Sequence, residues 1–140
     1  MSGYLLDTVL VSEFIKTRPE VRVREWLASI SPAEQFISVV TLGEIETGIE
    51  MLPTGKRREL LRAWAAELPS RFSDRILTVD LETGRLWGHA TASLRRRGLN
   101  VPTADVLIAA TALRHELSIV TRNERHFHWA GAETINPWRR

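Results

Sequence analysis

The sequence predicts an α/β fold of three layers, in which helices cover both faces of a mostly parallel central sheet. Short apolar runs alternate with longer segments whose apolar residues recur at helical spacing, a pattern typical of β-α-β units. The chain has 140 residues, of which 44% are hydrophobic, so it can bury a core of its own. We therefore expect residues 1–140 to form a single domain.

Five short apolar runs predict the strands of this sheet. Each is bounded by polar or turn-forming residues, and several are rich in β-branched side chains. The runs are Tyr4–Leu6 and residues 36–40, 76–79, 118–121 and 132–135. We place the last of them at the edge of the sheet.

The segments between these runs predict the helices. They cover residues 8–16, 19–30, 41–52, 56–72, 80–97 and 104–115. Thr41 is the expected N-cap of its helix, because Glu44 follows at the spacing of a capping box. Asp80 can cap the helix that Gly98 ends. In the helix of residues 56–72, Leu60 is among the side chains that we expect to face the core.

The composition excludes several classes of site and of location. The chain has no cysteine, which excludes a disulfide framework, a zinc–thiolate site and a cysteine nucleophile. Residues 1–10 have neither a positive start nor a long apolar run, so we expect no secretory signal. No apolar stretch is long enough to cross a membrane. We therefore expect a cytoplasmic protein that binds no membrane.

The basic residues are almost all arginines. Apart from Lys16 and Lys56, every one of the 19 basic residues is an arginine, while the net charge is only +2. Arginine binds phosphate through a planar fork and stacks on bases, which favours a nucleic-acid partner. A GC-rich genome would produce the same excess, so the composition leaves both explanations open.

Acidic and polar side chains recur where the predicted strands end. Asp7 follows the first strand, Glu44 lies in the first turn of the helix after the second, and Asp105 opens the last helix. Thr121 and Asn123 come at the end of the fourth strand. Ligands of open α/β sheets bind beyond the carboxyl ends of the strands. The sequence therefore predicts one acidic site, which gathers Asp7, Glu44 and Asp105.

Each acid also has a structural explanation. Asp7 can be an N-cap, Glu44 the acidic half of a capping box, and Asp105 a charge that favours the positive end of its helix. Their joint occurrence favours a site that binds a divalent cation. Oxygen ligands alone favour Mg²⁺ or Mn²⁺ over zinc, and such an ion can activate water against a phosphodiester.

At these residues the chain resembles the PIN-domain ribonucleases, and specifically the VapC-like toxins of bacterial toxin–antitoxin pairs. The matching segments, all in order, are residues 4–8, 37–45, 102–112, 120–123 and 136–138. The resemblance implies a three-layer α/β/α PIN-like domain that cleaves RNA with Mg²⁺ or Mn²⁺. It also implies a homodimer, an antitoxin whose tail enters the acidic groove, and contact with operator DNA only through that antitoxin.

The resemblance assigns roles to individual residues. Asp7, Glu44 and Asp105 would be catalytic and bind the metal, with Thr8 and Thr121 orienting carboxylates or waters. Asn123 would join this catalytic set by offering a neutral oxygen at the same strand end. Two positions depart from the family, since Val9 replaces an asparagine and His126 replaces an aspartate. We therefore predict one firm metal site and a second that forms mainly with RNA bound.

Several assignments stay open. Arg122 is an RNA-contact candidate because it adjoins Asn123, whereas Arg95, Arg96 and Arg97 form either a phosphate clamp or a solvated last turn of their helix. His126 and His128 could bind a transition metal or lie solvated on a loop. Glu13 could face the site, the solvent or a dimer partner. The leading function is an endoribonuclease toxin, and the alternative is a weakened PIN fold that acts as a binding or regulatory module in a DNA-binding toxin–antitoxin complex.

Overall fold

A five-stranded sheet in which all strands run parallel forms the centre of the protein. The computed structural model describes residues 3–139, so Met1, Ser2 and Arg140 of the predicted domain lie outside the described residues. The strands are β1 (Tyr4–Leu6), β2 (Gln35–Ser38), β3 (Ile76–Leu77), β4 (Ser118–Val120) and β5 (Thr134–Ile135). Their order across the sheet is β3-β2-β1-β4-β5. The first strand of the chain is therefore the central one, and the last lies at an edge, as predicted.

Helices cover both faces of this sheet. They are α1 (Thr8–Val11), α2 (Val21–Ala28), α3 (Val39–Glu50), α4 (Lys56–Phe72), α5 (Leu81–Arg96) and α6 (Thr103–His115). Successive residues of a strand point to opposite faces. Leu6 accordingly packs with α1, α3 and α4, whereas Leu5 packs against the apolar face of α6. These two cores confirm the three-layer α/β fold.

The start of α3 differs from the expected one. Ser38 rather than Thr41 is the N-cap, and the Val40 N–H donates to the Ser38 hydroxyl at 3.0 Å. The β-branched pair Val39 and Val40, read as the end of a strand, instead forms the first turn of the helix. Thr41 is buried inside that turn, and Glu44 therefore falls in the second turn. The predicted capping box between Thr41 and Glu44 is wrong.

Other differences are confined to element ends and one face. The first predicted helix divides into α1 and a 3₁₀ turn at Ser12–Ile15. The strand β1 has the predicted bounds, whereas the other four strands are shorter than their apolar runs. Leu60 is 63% exposed, contrary to the prediction, because α4 turns Ala65, Leu68 and Phe72 towards the core instead. The expected cap at Asp80 is confirmed, since its carboxylate accepts from the Thr83 N–H at 2.9 Å.

Within residues 3–139, no helix is both long and apolar enough to cross a membrane.

Candidate active site

Asp7 lies at the carboxyl end of the central strand, where its carboxylate is held from two sides. The Thr8 N–H donates to Oδ1 at 2.8 Å and the Thr121 hydroxyl donates to Oδ2 at 2.7 Å. Asp7 is only 5% exposed, and it is also the N-cap of α1. The structural and functional explanations of Asp7 are therefore compatible, because one carboxylate can cap a short helix and still face a site.

Burial raises the pKa of Asp7 above its ordinary value of 3.8. The hydrogen bonds from Thr121 and Thr8 act in the opposite direction, but the negative charges of Asp105 and Glu44 raise the pKa further. Among the described residues, no lysine, arginine or histidine forms an ion pair with Asp7. A buried carboxylate therefore lies near two others without a protein cation of its own.

Thr8 links Asp7 to Glu44. Its N–H binds Asp7, while its hydroxyl donates to Glu44 Oε1 at 2.6 Å and lies 3.3 Å from the hydroxyl of Thr41. Glu44 projects from the second turn of α3 and is exposed. Thr8 follows Asp7 at the end of β1, and α3 carries Glu44 to the same place. One threonine thus binds both carboxylates, one through its N–H and the other through its hydroxyl.

Asp105 lies in the first turn of α6 and has a partner that the sequence did not reveal. His126 Nδ1 is 2.8 Å from Asp105 Oδ2, and the Asp105 side chain is 15% exposed. His126 stands where the resembling family has an acid. A signal for this pairing existed in that substitution, because an imidazole can occupy the position of a carboxylate and bind the neighbouring one.

Thr121 is completely buried and joins the end of β4 to the site. Besides donating to Asp7, its hydroxyl oxygen accepts the Asn123 N–H at 3.0 Å. The Asn123 side chain is exposed, and within residues 3–139 no hydrogen bond joins it to Asp7 or Glu44. The structure therefore brings Thr121 to the acids and leaves the Asn123 side chain beside them.

The carboxylates are near one another but do not surround a common point. In the part of the chain that the structure describes, no group of three acidic or histidine side chains is close enough to hold a metal ion. The donor chemistry nevertheless suits Mg²⁺ or Mn²⁺, because Asp7, Glu44 and Asp105 offer only oxygen ligands. An ion would relieve the mutual repulsion that raises the pKa of Asp7.

The arginine candidates lie in two places. Arg122 is exposed beside the acids, and its guanidinium stands 5.9 Å from the centre of the Trp138 ring. Arg95, Arg96 and Arg97 are exposed at the end of α5, where Arg95 lines a small cavity with Thr103 of α6. That cavity places Arg95 near the helix turn that carries Asp105.

Glu13 proves to be a buried anchor, rather than a group facing the site or solvent. Its side chain is 3% exposed, accepts the Glu20 N–H at 2.9 Å and pairs with Lys16. Desolvation raises the pKa of Glu13. These two partners and the charge of Arg122 lower it by more than that, so the pKa lies below its ordinary value of 4.5. An isolated glutamate in a short helix gave no sequence signal of this burial.

Comparisons with known proteins identify the family of this chain. A model described as the PIN domain matches residues 4–131. The chain belongs to the PIN-domain family. The resemblance seen in the sequence motifs is thereby confirmed over nearly the whole chain.

Three relatives match over almost their full length. Plasmid stability protein StbB of Pseudomonas syringae pv. tomato is 35% identical over 96% of this chain and 97% of its own. VapC ribonuclease Y4jK of Sinorhizobium fredii is 32% identical, with 96% of each chain covered. Toxin FitB of Neisseria gonorrhoeae is 33% identical over 96% of this chain and 97% of its own.

A solved structure shares the architecture. FitAcB from Neisseria gonorrhoeae superimposes with a TM-score of 0.87 at 31% identity, covering 96% of this chain and 98% of that one. The similarity includes the sheet and the helices that carry the three acids, since so little of either chain is left out.

Proposed function

We propose that this PIN-domain protein is a metal-dependent endoribonuclease that acts as the toxin of a toxin–antitoxin pair in the cytoplasm. One observation carries the proposal. Asp7 is buried at the end of the central strand, and its pKa is raised by burial and by the nearby charges of Glu44 and Asp105. Within residues 3–139, no basic side chain forms an ion pair with Asp7 or Glu44. Relatives named as a ribonuclease and as a toxin support the same activity.

Asp7, Glu44 and Asp105 would hold the ion, which is Mg²⁺ or Mn²⁺ in this proposal. Once bound, the ion supplies an activated water and a positive charge that stabilises the attacked phosphodiester. Closing the site requires Glu44 and Asp105 to move towards Asp7, because the three are not close enough in the structure. Glu44 is exposed and can move, whereas Asp7 is fixed.

The protein's own residues bind each of the three acids in the arrangement that precedes ion binding. Thr121 and the Thr8 N–H fix both oxygens of Asp7, so the carboxylate cannot rotate away. The Thr8 hydroxyl positions Glu44, and His126 positions Asp105. Asn123, at the same strand end, would offer its amide to the substrate. RNA would cross this edge of the sheet, with Arg122 and Arg95 as its nearest arginine contacts, and Arg96 and Arg97 further along α5.

An antitoxin protein is the proposed partner, and it would occupy the groove beside Glu44. This groove of about 340 Å³ runs between the 3₁₀ turn after α1 and the helices α3 and α4. Its walls are apolar except at five residues, which suits an amphipathic segment of another chain. The five are Thr8, Ser12, Lys16, Glu44 and Arg57. Operator DNA would be reached only through that partner.

A homodimer is also proposed, through an apolar surface around the ion pair between Asp80 and Arg114. Leu81 is 70% exposed there, and Val79 and Leu113 are 39% exposed. Such a cluster marks an association surface more often than a free one. Sedimentation of the protein with Leu81→Glu should show a loss of dimer, and an unchanged dimer would exclude this surface.

Cleavage of RNA tests the function directly. Purified protein should cut total RNA in Mg²⁺ or Mn²⁺, lose this activity in EDTA, and lose it in Asp105→Asn, while Arg85→Gln on α5 serves as the control. Expression should arrest growth, and Asp105→Asn should relieve the arrest. Arrest that persists in both Asp7→Asn and Asp105→Asn would refute the metal mechanism and favour a binding role for the fold.

A further inference from the structure

A basic cavity of about 430 Å³ adjoins the acidic site on the side of β4. It is enclosed by the loop that follows β4 and by the end of the chain, and it contains three arginines. The residues that line it are Arg122, Asn123, Glu124, Arg125, His126, His128, Asn136 and Arg139. Its volume lies within the range of about 300–1,000 Å³ that is usual for ligand pockets.

The charge of this cavity is positive after its internal pairs are counted. Glu124 is its one acid, and it pairs with Arg139 and lies near the Asn136 amide. Arg122 lies over the Trp138 ring, which leaves its charge intact. Arg125 is exposed and forms no ion pair with any residue between 3 and 139. The cavity therefore favours an anion.

Two side chains join the cavity to the catalytic carboxylates. His126 lines it and binds Asp105 through Nδ1, which leaves Nε2 as the unpaired nitrogen of the ring. Asn123 also lines it, and its N–H is held by Thr121, the residue that fixes Asp7. The cavity thus begins at residues that directly contact Asp105 and the threonine that holds Asp7.

A metal ion is excluded as the occupant of this cavity. His126 is engaged by Asp105 and Glu124 by Arg139, and in the described part of the chain no three acidic or histidine side chains lie close enough together to hold an ion. Nearby arginines also repel a cation. Guanidinium groups instead bind phosphate through paired N–H donors, and asparagine amides can bind the sugar or the base edge.

We propose that this cavity binds the phosphate backbone of the RNA strand on one side of the bond that is cut, with Arg125 as its principal phosphate contact. The inference rests on the proposed ribonuclease function for the identity of the substrate. An acidic protein segment is a weaker fit, because the cavity offers charged and amide groups and no apolar wall for such a segment to bury.

Binding of RNA without cleavage tests the cavity. In an Asp7→Asn background, a labelled single-stranded RNA pool of about 12 nucleotides would be titrated at several salt concentrations. Arg125→Gln should weaken binding about 5- to 10-fold, and the slope of log Kd against log salt should fall by about 0.7, the value for one phosphate contact on a single strand. Arg125→Lys should keep the slope, because it keeps the charge.

The matched control is Arg85→Gln, which removes an exposed arginine on α5 that does not line the cavity. Equal slopes for Arg125→Gln and Arg85→Gln, with both variants melting like the parent, would overturn the inference. A second result would also overturn it, namely that poly-glutamate binds in a way that requires Arg125 while RNA binding does not require Arg125. If the wild type binds RNA through Arg125 but never cuts it, the cavity stands and the nuclease function fails.

Discussion

Asp7 is the most deeply buried of the three acids, and its burial has opposite consequences for folding and for chemistry. Removing an ionised carboxylate from water destabilises the folded state, which is why its pKa is raised. The same fixed, desolvated charge is a strong ligand for a cation. A residue that weakens the fold is therefore best explained by what it binds.

Replacing Asp7 with asparagine should separate the two effects. Asp7→Asn should lower RNA cleavage by about 100-fold or more, since loss of residues that merely support metal ligands already costs about 10- to 100-fold. Thermal melting at neutral pH should be at least as high as in the wild type, because a buried charge is removed.

The stability advantage of Asp7→Asn should depend on pH. A raised folded pKa means that the contribution of Asp7 to stability is full below its unfolded pKa and is lost as the pH rises through the folded value. The melting curves of the two proteins should thus converge in acid. A variant that melts lower than the wild type at neutral pH would contradict the assignment of Asp7 as an uncompensated charge.

Glu13 should behave in the opposite way. Its folded pKa is lowered, so its stabilisation is present above the unfolded value and is lost as the pH falls through the folded one. Glu13→Gln should destabilise the protein by about 1.5–3 kcal/mol at neutral pH, the range for a hydrogen bond to a charged group. Urea unfolding at several pH values measures this, and a difference that persists unchanged in acid would exclude the ionic explanation.

The individual residues show what sequence can and cannot supply. Asp7, Glu44 and Asp105 could be placed near one edge of the sheet, because strand ends identify that edge without knowledge of the packing. The contact of His126 with Asp105 was signalled only by the replacement of the family's acid at position 126, and the sequence did not define its geometry. It depends on how the loop after β4 folds over the start of α6.

Among the elements, α3 matters most for the site because it carries Glu44, and its start is set by Ser38. Ser38→Ala should cost about 1 kcal/mol of stability, the usual value for an N-cap, which corresponds to about 3–5 °C in melting temperature. Cleavage should also fall, since the position of Glu44 depends on the first turns of the helix.

Thr41→Val is the matched comparison for that variant. Thr41 is buried but is not the N-cap, and within residues 3–139 its hydroxyl forms one side-chain hydrogen bond, from Thr8 at 3.3 Å. We expect a smaller loss of stability than in Ser38→Ala. If Thr41→Val lowered the melting temperature more than Ser38→Ala does, the assignment of Ser38 as the N-cap of α3 would be contradicted.

The elements also explain why the expected boundaries shifted. A run of β-branched residues such as 37–40 is compatible with a strand or with a buried first helical turn, and only the cap at Ser38 decides between them. Long amphipathic helices, such as α4, were located correctly because their periodicity extends over several turns. The facing of a single residue at a helix end, as at Leu60, depends on tertiary packing.

For the whole molecule, the prediction is that a divalent cation stabilises the folded state. Binding to folded protein alone adds about 2.7 kcal/mol at a ligand concentration 100-fold above Kd. Mg²⁺ or Mn²⁺ should therefore raise the melting temperature by several degrees, whereas Asp7→Asn should show no rise. EDTA and an equal ionic strength of NaCl serve as controls.

Calorimetric titration of Mn²⁺ into the free protein extends this prediction. One firm site is expected, because His126 stands in place of a fourth acid and already engages Asp105. Two equally tight sites would contradict it.

The parallel three-layer fold itself could be predicted from the sequence, but the strand order could not, because apolar runs do not show which strands are neighbours.

The link between Thr121 and Asp7 joins residues 114 positions apart, because β1 pairs with β4, which is synthesised much later. The ribosome must therefore synthesise the chain as far as Thr121 before this carboxylate is fixed. A truncated or half-made chain would lack the geometry of the site, whatever other parts had already folded. In a cell, the site would therefore form only after Thr121 has been synthesised. An inhibitor translated earlier could bind each molecule as soon as its site forms.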